Sequence, residues 1–83
     1  GEALLAYDRA VALSPDNADI YLKRGIARLD AQLLYESLDD LNRAEGLSGG
    51  KEKLVPFYRG KIYFQVENFE RAKQDFQKCI ELD

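Results

Sequence analysis

The chain has 83 residues, 46% hydrophobic and 33% charged, a composition that fits one soluble globular domain and excludes a disordered segment. Lys and Arg number 12 against 15 Asp and Glu, and the net charge of −3 argues against nucleic acid as a partner, which requires a basic footprint. With no His and only Cys79, the usual general base, an internal disulfide, a multi-cysteine zinc site and a Cys–His nucleophile are all excluded.

The periodicity is helical throughout, and five helices are expected near 2–13, 17–30, 33–46, 52–66 and 69–82. In the first, Leu4, Leu5, Tyr7, Ala10 and Leu13 form an apolar face. Ser14-Pro15-Asp16-Asn17 breaks the chain, with Asp16 expected as N-cap of the second helix. The next turn, Asp30-Ala31-Gln32, is poorly marked and expected to be tight. Leu34, Leu38, Leu41 and Ala44 face the core in the third helix, which Ser48-Gly49-Gly50 ends, one of the glycines taking the left-handed conformation. Pro56 is tolerable only in a first turn, so the fourth helix starts near Glu52 or Lys53. Asn68 is the expected N-cap of the fifth, with Glu70 on its positive end and Phe69, Ala72, Phe76, Cys79 and Ile80 on its apolar face.

No apolar run approaches the roughly 20 residues that span a bilayer, so membrane insertion is not expected. Gly1-Glu2-Ala3 is unlike a signal peptide. The chain contains no Met and starts inside a helical pattern, which points to a segment of a longer protein. Its compartment is therefore left open.

The sequence repeats itself. Ala3-x3-Tyr7-x2-Ala10, Ser37-x3-Leu41-x2-Ala44 and Ala72-x3-Phe76-x2-Cys79 share a small-large-small pattern, 34 and then 35 residues apart. Upstream, Tyr21-Leu22-Lys23-Arg24-Gly25 matches Pro56-Phe57-Tyr58-Arg59-Gly60, again 35 apart. Two patterns in one register indicate helix pairs that repeat.

Helix pairs at this period, with these small and large positions, resemble the tetratricopeptide repeat. Tyr21, Gly25, Leu41 and Ala44 sit at pattern positions in one repeat. Gly60, Tyr63, Phe69, Ala72, Phe76 and Cys79 do so in the next, and Pro15 matches a repeat-ending proline. Arg28 stands where the pattern has an aromatic, Ser37 and Cys79 where it has alanine, and Gly49 where it has proline. The resemblance implies an all-α fold of antiparallel helix-turn-helix repeats stacked as a right-handed α-solenoid. It divides the single domain 1–83 into the second helix of a partial repeat (2–13) and two repeats (18–48 and 53–83). The rival pentatricopeptide pattern, which would bind RNA, is opposed by the acidic balance and by Asp19 and Asp30.

Each pair must stack on its neighbours to bury its apolar face. Gly25 and Gly60 are expected to let the two helices of a pair approach, with Ala44, Ala72 and Cys79 at the same crossings. Arg24 and Asp40 are 16 residues apart, as are Arg59 and Asp75, which predicts an ion pair between the two helices of each repeat.

Nothing in the sequence favours catalysis. Asp39 and Asp40 project about 100° apart on a helix and cannot share a proton. Cys79 lies on an apolar stripe, where thiols are inert. Ser48-Gly49-Gly50-Lys51 lacks the spacing and the preceding strand of a phosphate loop. No cofactor and no metal is expected.

The resemblance instead implies a partner-binding groove lined by the first helix of each pair. Its positions are Asp19, Leu22, Lys23, Ile26, Leu29 and Asp30, then Leu54, Phe57, Tyr58, Lys61, Phe64 and Gln65. Lys23 and Lys61 are suited to a carboxylate, Tyr58 to stacking, and Leu22, Ile26 and Phe57 to apolar anchoring. The carboxylate clamp of one chaperone-binding subgroup is absent: its positions carry Leu22, Ile26, Lys23, Asp19, Leu54 and Tyr58. The expected function is an interaction scaffold for a protein or peptide ligand. The competing reading is a structural segment that forms a homodimer through apolar surface at its ends, Leu4, Leu5 and Val11 at one and Ile80 and Leu82 at the other.

Overall fold

The structure, a computed structural model, describes residues 2–83; Gly1, included in the expected domain 1–83, lies outside them. Five α-helices follow in order: α1 (Glu2–Leu13), α2 (Ala18–Asp30), α3 (Leu34–Leu47), α4 (Leu54–Gln65) and α5 (Phe69–Leu82). They are the expected helices to within two residues at each end.

The caps show why the helices start where they do. Asn17, not Asp16, caps α2: its Oδ1 accepts from the amides of Asp19 (3.0 Å) and Ile20 (3.3 Å). Those are the second and third residues of the helix, and Asp16 lies one residue too far upstream to take the cap position. Asn68 caps α5 as expected, accepting from the Arg71 amide. α4 begins at Leu54, two residues later than the earliest expected start. Pro56 is then its third residue, where no intrahelical N–H bond is required. Lys53 stands at the cap position without a side-chain cap bond, and Glu52 Oε1, one residue upstream, accepts from the Leu54 amide at 3.1 Å.

The poorly marked turn after α2 and the turn after α4 share one geometry. Gln32 and Glu67, 35 residues apart, both have φ of 62°, and the next residue's amide bonds back to the carbonyl five residues earlier (Leu33 to Arg28, Asn68 to Tyr63, each 2.8 Å). This is the left-handed helix stop that glycine usually serves. The turn from α3 to α4 uses glycine for it, Gly49 and Gly50 having φ of 68° and 76°.

Packing follows the hairpins. α2 lies against α3 and α4 against α5, while α1 packs on α2 and α3 on α4. Tyr21, Leu22, Leu29, Leu41, Ala44, Val55 and Ile62 form the buried core across α2, α3 and α4, and Val11, Ile26, Leu34, Leu38 and Tyr58 pack around it. Leu41 and Ile62 are wholly enclosed, each contributing about 1.5–3 kcal/mol through removal of apolar surface from water. Close approach within the hairpins depends on the two glycines. A Cβ on Gly25 would lie 3.2 Å from Asp40 Cβ and Leu41 Cδ2, and one on Gly60 only 2.7 Å from the Phe76 ring. Ala44 and Ala72 are buried beside them, whereas Cys79, at the matching outer position, is only half-buried.

Among the described residues, the backbones of α2 and α4 come close together, whereas α3 and α5 stand further apart and meet through the long side chains of Glu45 and Lys78. The α2–α4 layer is therefore the closer-set, inner side of the stack. It is the side that carries the candidate groove.

Candidate functional site

Arg24 and Arg59 set the geometry beneath the inner face. Arg24 donates from Nε and Nη2 to both oxygens of Asp40 (2.9 and 2.8 Å), and Arg59 does the same to Asp75 (3.0 and 2.8 Å). Both contacts are two-pronged, which fixes orientation as well as charge. Each arginine also reaches the preceding hairpin. Arg24 Nη1 meets Asp8 of α1 at 3.0 Å. Arg59 meets Asn42 and Glu45 of α3 at 2.8–3.1 Å, and Lys78 joins Glu45 at 3.0 Å. Burial works against the Arg59 charge, but its bonds to Asp75 and Glu45 overcome it and raise the guanidinium pKa. Glu45 is held below the usual carboxylate value, first by its bond to Arg59 and then by Lys78, against some desolvation. Each arginine thus ties three helices together.

Two departures from the repeat pattern acquire reasons. Arg28 Nη1 donates to Asp40 at 3.0 Å, so Asp40 holds two arginines. Ser37 Oγ donates to the Gly25 carbonyl at 2.6 Å inside the core. Asp8, Arg28, Asn42, Glu45 and Lys78 were not among the expected site residues. The one signal for them was that Asp8 and Asn42 fall 34 residues apart in the repeat register.

On the inner face the expected groove residues divide. Leu22 is only 4% exposed and Ile26 packs on the core, so neither offers a partner much surface. Lys23 and Asp19 are exposed but pair with each other at 3.0 Å, a bond that raises the lysine pKa. Leu54 and Phe57 line a separate recess with Lys53, Cys79, Ile80 and Asp83. Leu29, Asp30, Tyr58, Lys61, Phe64 and Gln65 converge instead on one cleft of about 570 Å³ between the C-terminal end of α2 and α4. Gln32 and Phe76 complete its lining. Both were missed as site residues: Gln32 sits in the turn with little sequence signal, and Phe76 counted as a packing position. The Phe76 ring reaches the cleft because Gly60 leaves it room.

Lys61 Nζ stands 5.0 Å from the centre of the Phe57 ring and 5.4 Å from that of Tyr58, and the two rings meet edge to face. The arrangement steadies an otherwise flexible cation over the inner face. Among the described residues, no group of His, Cys, Asp and Glu is placed to hold a metal ion, and no helix is long and apolar enough to cross a membrane.

Comparison with known proteins fits this architecture. A family model described as TPR repeat matches residues 1–31, and one described as Tetratricopeptide repeat matches residues 57–83. The chain belongs to the tetratricopeptide repeat family. Human Tetratricopeptide repeat protein 13 is 28% identical over 98% of the chain, which spans 9% of that protein. Tetratricopeptide repeat protein 36 of Xenopus tropicalis is 36% identical over 96% of the chain, which spans 41% of it. The chain therefore corresponds to less than half the length of either relative. Among solved structures, the second TPR of Spaghetti (RPAP3) bound to HSP90 peptide SRMEEVD superposes with a TM-score of 0.91 at 28% identity, covering 99% of this chain and 75% of that one. MamA AMB-1 superposes at 0.88 with 26% identity, covering 98% and 47%. The fold is an all-α helical-repeat solenoid.

Proposed function

We propose that this chain is a non-catalytic protein-interaction scaffold that holds a peptide or protein segment along the inner face of α2 and α4. The observation that carries the reading is the convergence of Leu29, Asp30, Tyr58, Lys61, Phe64 and Gln65 on one cleft, backed by an arginine-braced framework. Such a cleft combines apolar walls with a few polar groups, the make-up of a binding site. The similar fold bound to an HSP90 peptide supports peptide capture by a stack of this shape. The repeat limits 18–48 and 53–83 fit the proposal, since each unit supplies one inner helix.

A structural role as a self-associating segment is the second reading. Leu5 and Leu13 of α1 and Phe69 and Ile80 of α5 are all more than half exposed, so both ends of the stack present apolar side chains. Leu4, Val11 and Leu82, also expected at the ends, are half-buried.

The two readings separate in a lysate pulldown with the wild-type chain beside a Tyr58→Ala, Lys61→Glu variant, with helicity checked by circular dichroism. The groove reading predicts specific proteins lost by the variant at unchanged helicity. An identical set captured by both chains, or only copies of the chain itself, contradicts it. In the second case, Leu5→Glu or Ile80→Glu lowers the mass measured by light scattering.

A further inference from the structure

We infer that the cleft between α2 and α4 selects a peptide in which an apolar side chain lies between one acidic and one basic residue. This deepens the inner-face reading above and rests on it. Among the described residues, Lys61 is the only cation lining the cleft and Asp30 the only anion, and they stand on opposite helices. Neither has an oppositely charged side chain within 4.0 Å among the described residues, unlike Lys23, Lys53 and Lys78, which all have carboxylate partners. Lys61 is held over two aromatic rings that take the place of part of its water and leave its outer side open to an anion. Asp30 is the last residue of α2, where its carboxylate adds to the negative end of the helix dipole. An isolated helix is weakened by an acid there, and an incoming cation relieves both the charge and the dipole.

Tyr58, Phe64 and Phe76 supply apolar wall between the two charges, with the buried Leu29 behind them. The volume of about 570 Å³ admits an aromatic or large aliphatic side chain. Neighbouring packed helices lie about 8–10 Å apart, and an extended peptide advances about 3.3 Å per residue. The ligand's acidic and basic residues are therefore about two to three positions apart, the acidic one at Lys61 and the basic one at Asp30. Lys23 does not extend this pattern, because Asp19 already occupies it.

The test is a selection from a phage-displayed random peptide library on the 83-residue chain. Enriched peptides are then synthesised with both ends blocked and titrated by fluorescence polarisation. The expected winners carry acid, apolar residue and base in that spacing. Lys61→Glu and Asp30→Lys each weaken them about tenfold at unchanged circular dichroism. Peptides with the two charges exchanged regain binding to the Lys61→Glu, Asp30→Lys double variant. Winners that lose binding to Tyr58→Ala but ignore Lys61→Glu and Asp30→Lys overturn this inference and leave the inner-face reading standing. Winners indifferent to all three variants, or no enrichment at all, overturn both.

Discussion

The joint between α1 and the first hairpin and the joint between the two hairpins place an arginine at the same repeat position and differ in part of what surrounds it. At the first joint Arg24 bridges Asp40 of its own hairpin and Asp8 of α1, and Arg28 shares Asp40 with it. Asp8 is half exposed there. At the second joint Arg59 is enclosed between Asp75 and Glu45, with Asn42 and Lys78 completing the network and Tyr63 at the position of Arg28. The pair inside each hairpin is common to both joints, and so is the Nη1 contact to the preceding helix, made to Asp8 at one and to Asn42 at the other, 34 residues apart; Arg28, Glu45 and Lys78 are what differ. A repeat protein can in this way hold its stacking geometry while its neighbour-facing residues diverge. Stability here is close to a sum of hairpin and joint contributions, so the joints can be broken one at a time.

The largest effect is expected at the enclosed arginine. Arg59→Ala leaves Asp75 buried with no other cation, and stability should fall by about 3–5 kcal/mol in urea unfolding. Arg24→Ala should cost less, about 1–3 kcal/mol, because Arg28 still holds Asp40. Equal losses would show that Arg28 contributes nothing. Ser37→Ala removes one buried hydrogen bond and places at position 37 the residue that the second hairpin has at Ala72. A loss of about 0.5–1.5 kcal/mol is expected from thermal or urea unfolding.

Acid should distinguish the joints by a smaller margin, since Glu45 is a quarter exposed and solvent screens it. Its folded pKa lies below the ordinary value of 4.5, so its contribution is complete above that pH and is lost as pH falls through the lower folded value. Glu45→Gln should flatten stability against pH below about 4.5 and leave the slope above it unchanged. The smallest effect belongs to Asp8. Asp8→Ala removes an exposed partner, and the expected loss of about 0.2–1 kcal/mol should fade as salt is raised.

Much of this was legible in the residues. The helices, the two-pronged pairs Arg24–Asp40 and Arg59–Asp75, and the tight glycine approaches all follow from spacings of 16 and 35 within one chain. Repetition makes a weak signal strong, because an accidental match does not recur in register. The features that do not repeat were hidden. Glu45 corresponds to Val11 on α1, so no register announced that it meets an arginine from the next hairpin. Arg28 looked like a lost aromatic until Asp40 was seen to hold it. The left-handed residues Gln32 and Glu67 carry no glycine to mark them. The groove positions came from the resemblance alone, and burial sorted them: Leu22 went to the core and Lys23 to Asp19, while the cleft gathered at the other end of α2.

The central claim is that partners are engaged at that cleft. The most direct measurement is amide chemical-shift mapping of the isotope-labelled chain with a bound peptide or partner segment. The account predicts shifts confined to Leu29 through Gln32, Tyr58 through Gln65 and the neighbourhood of Phe76. Shifts centred instead on exposed α3 positions such as Tyr35 and Arg43, with Tyr58 and Lys61 unmoved, would contradict it.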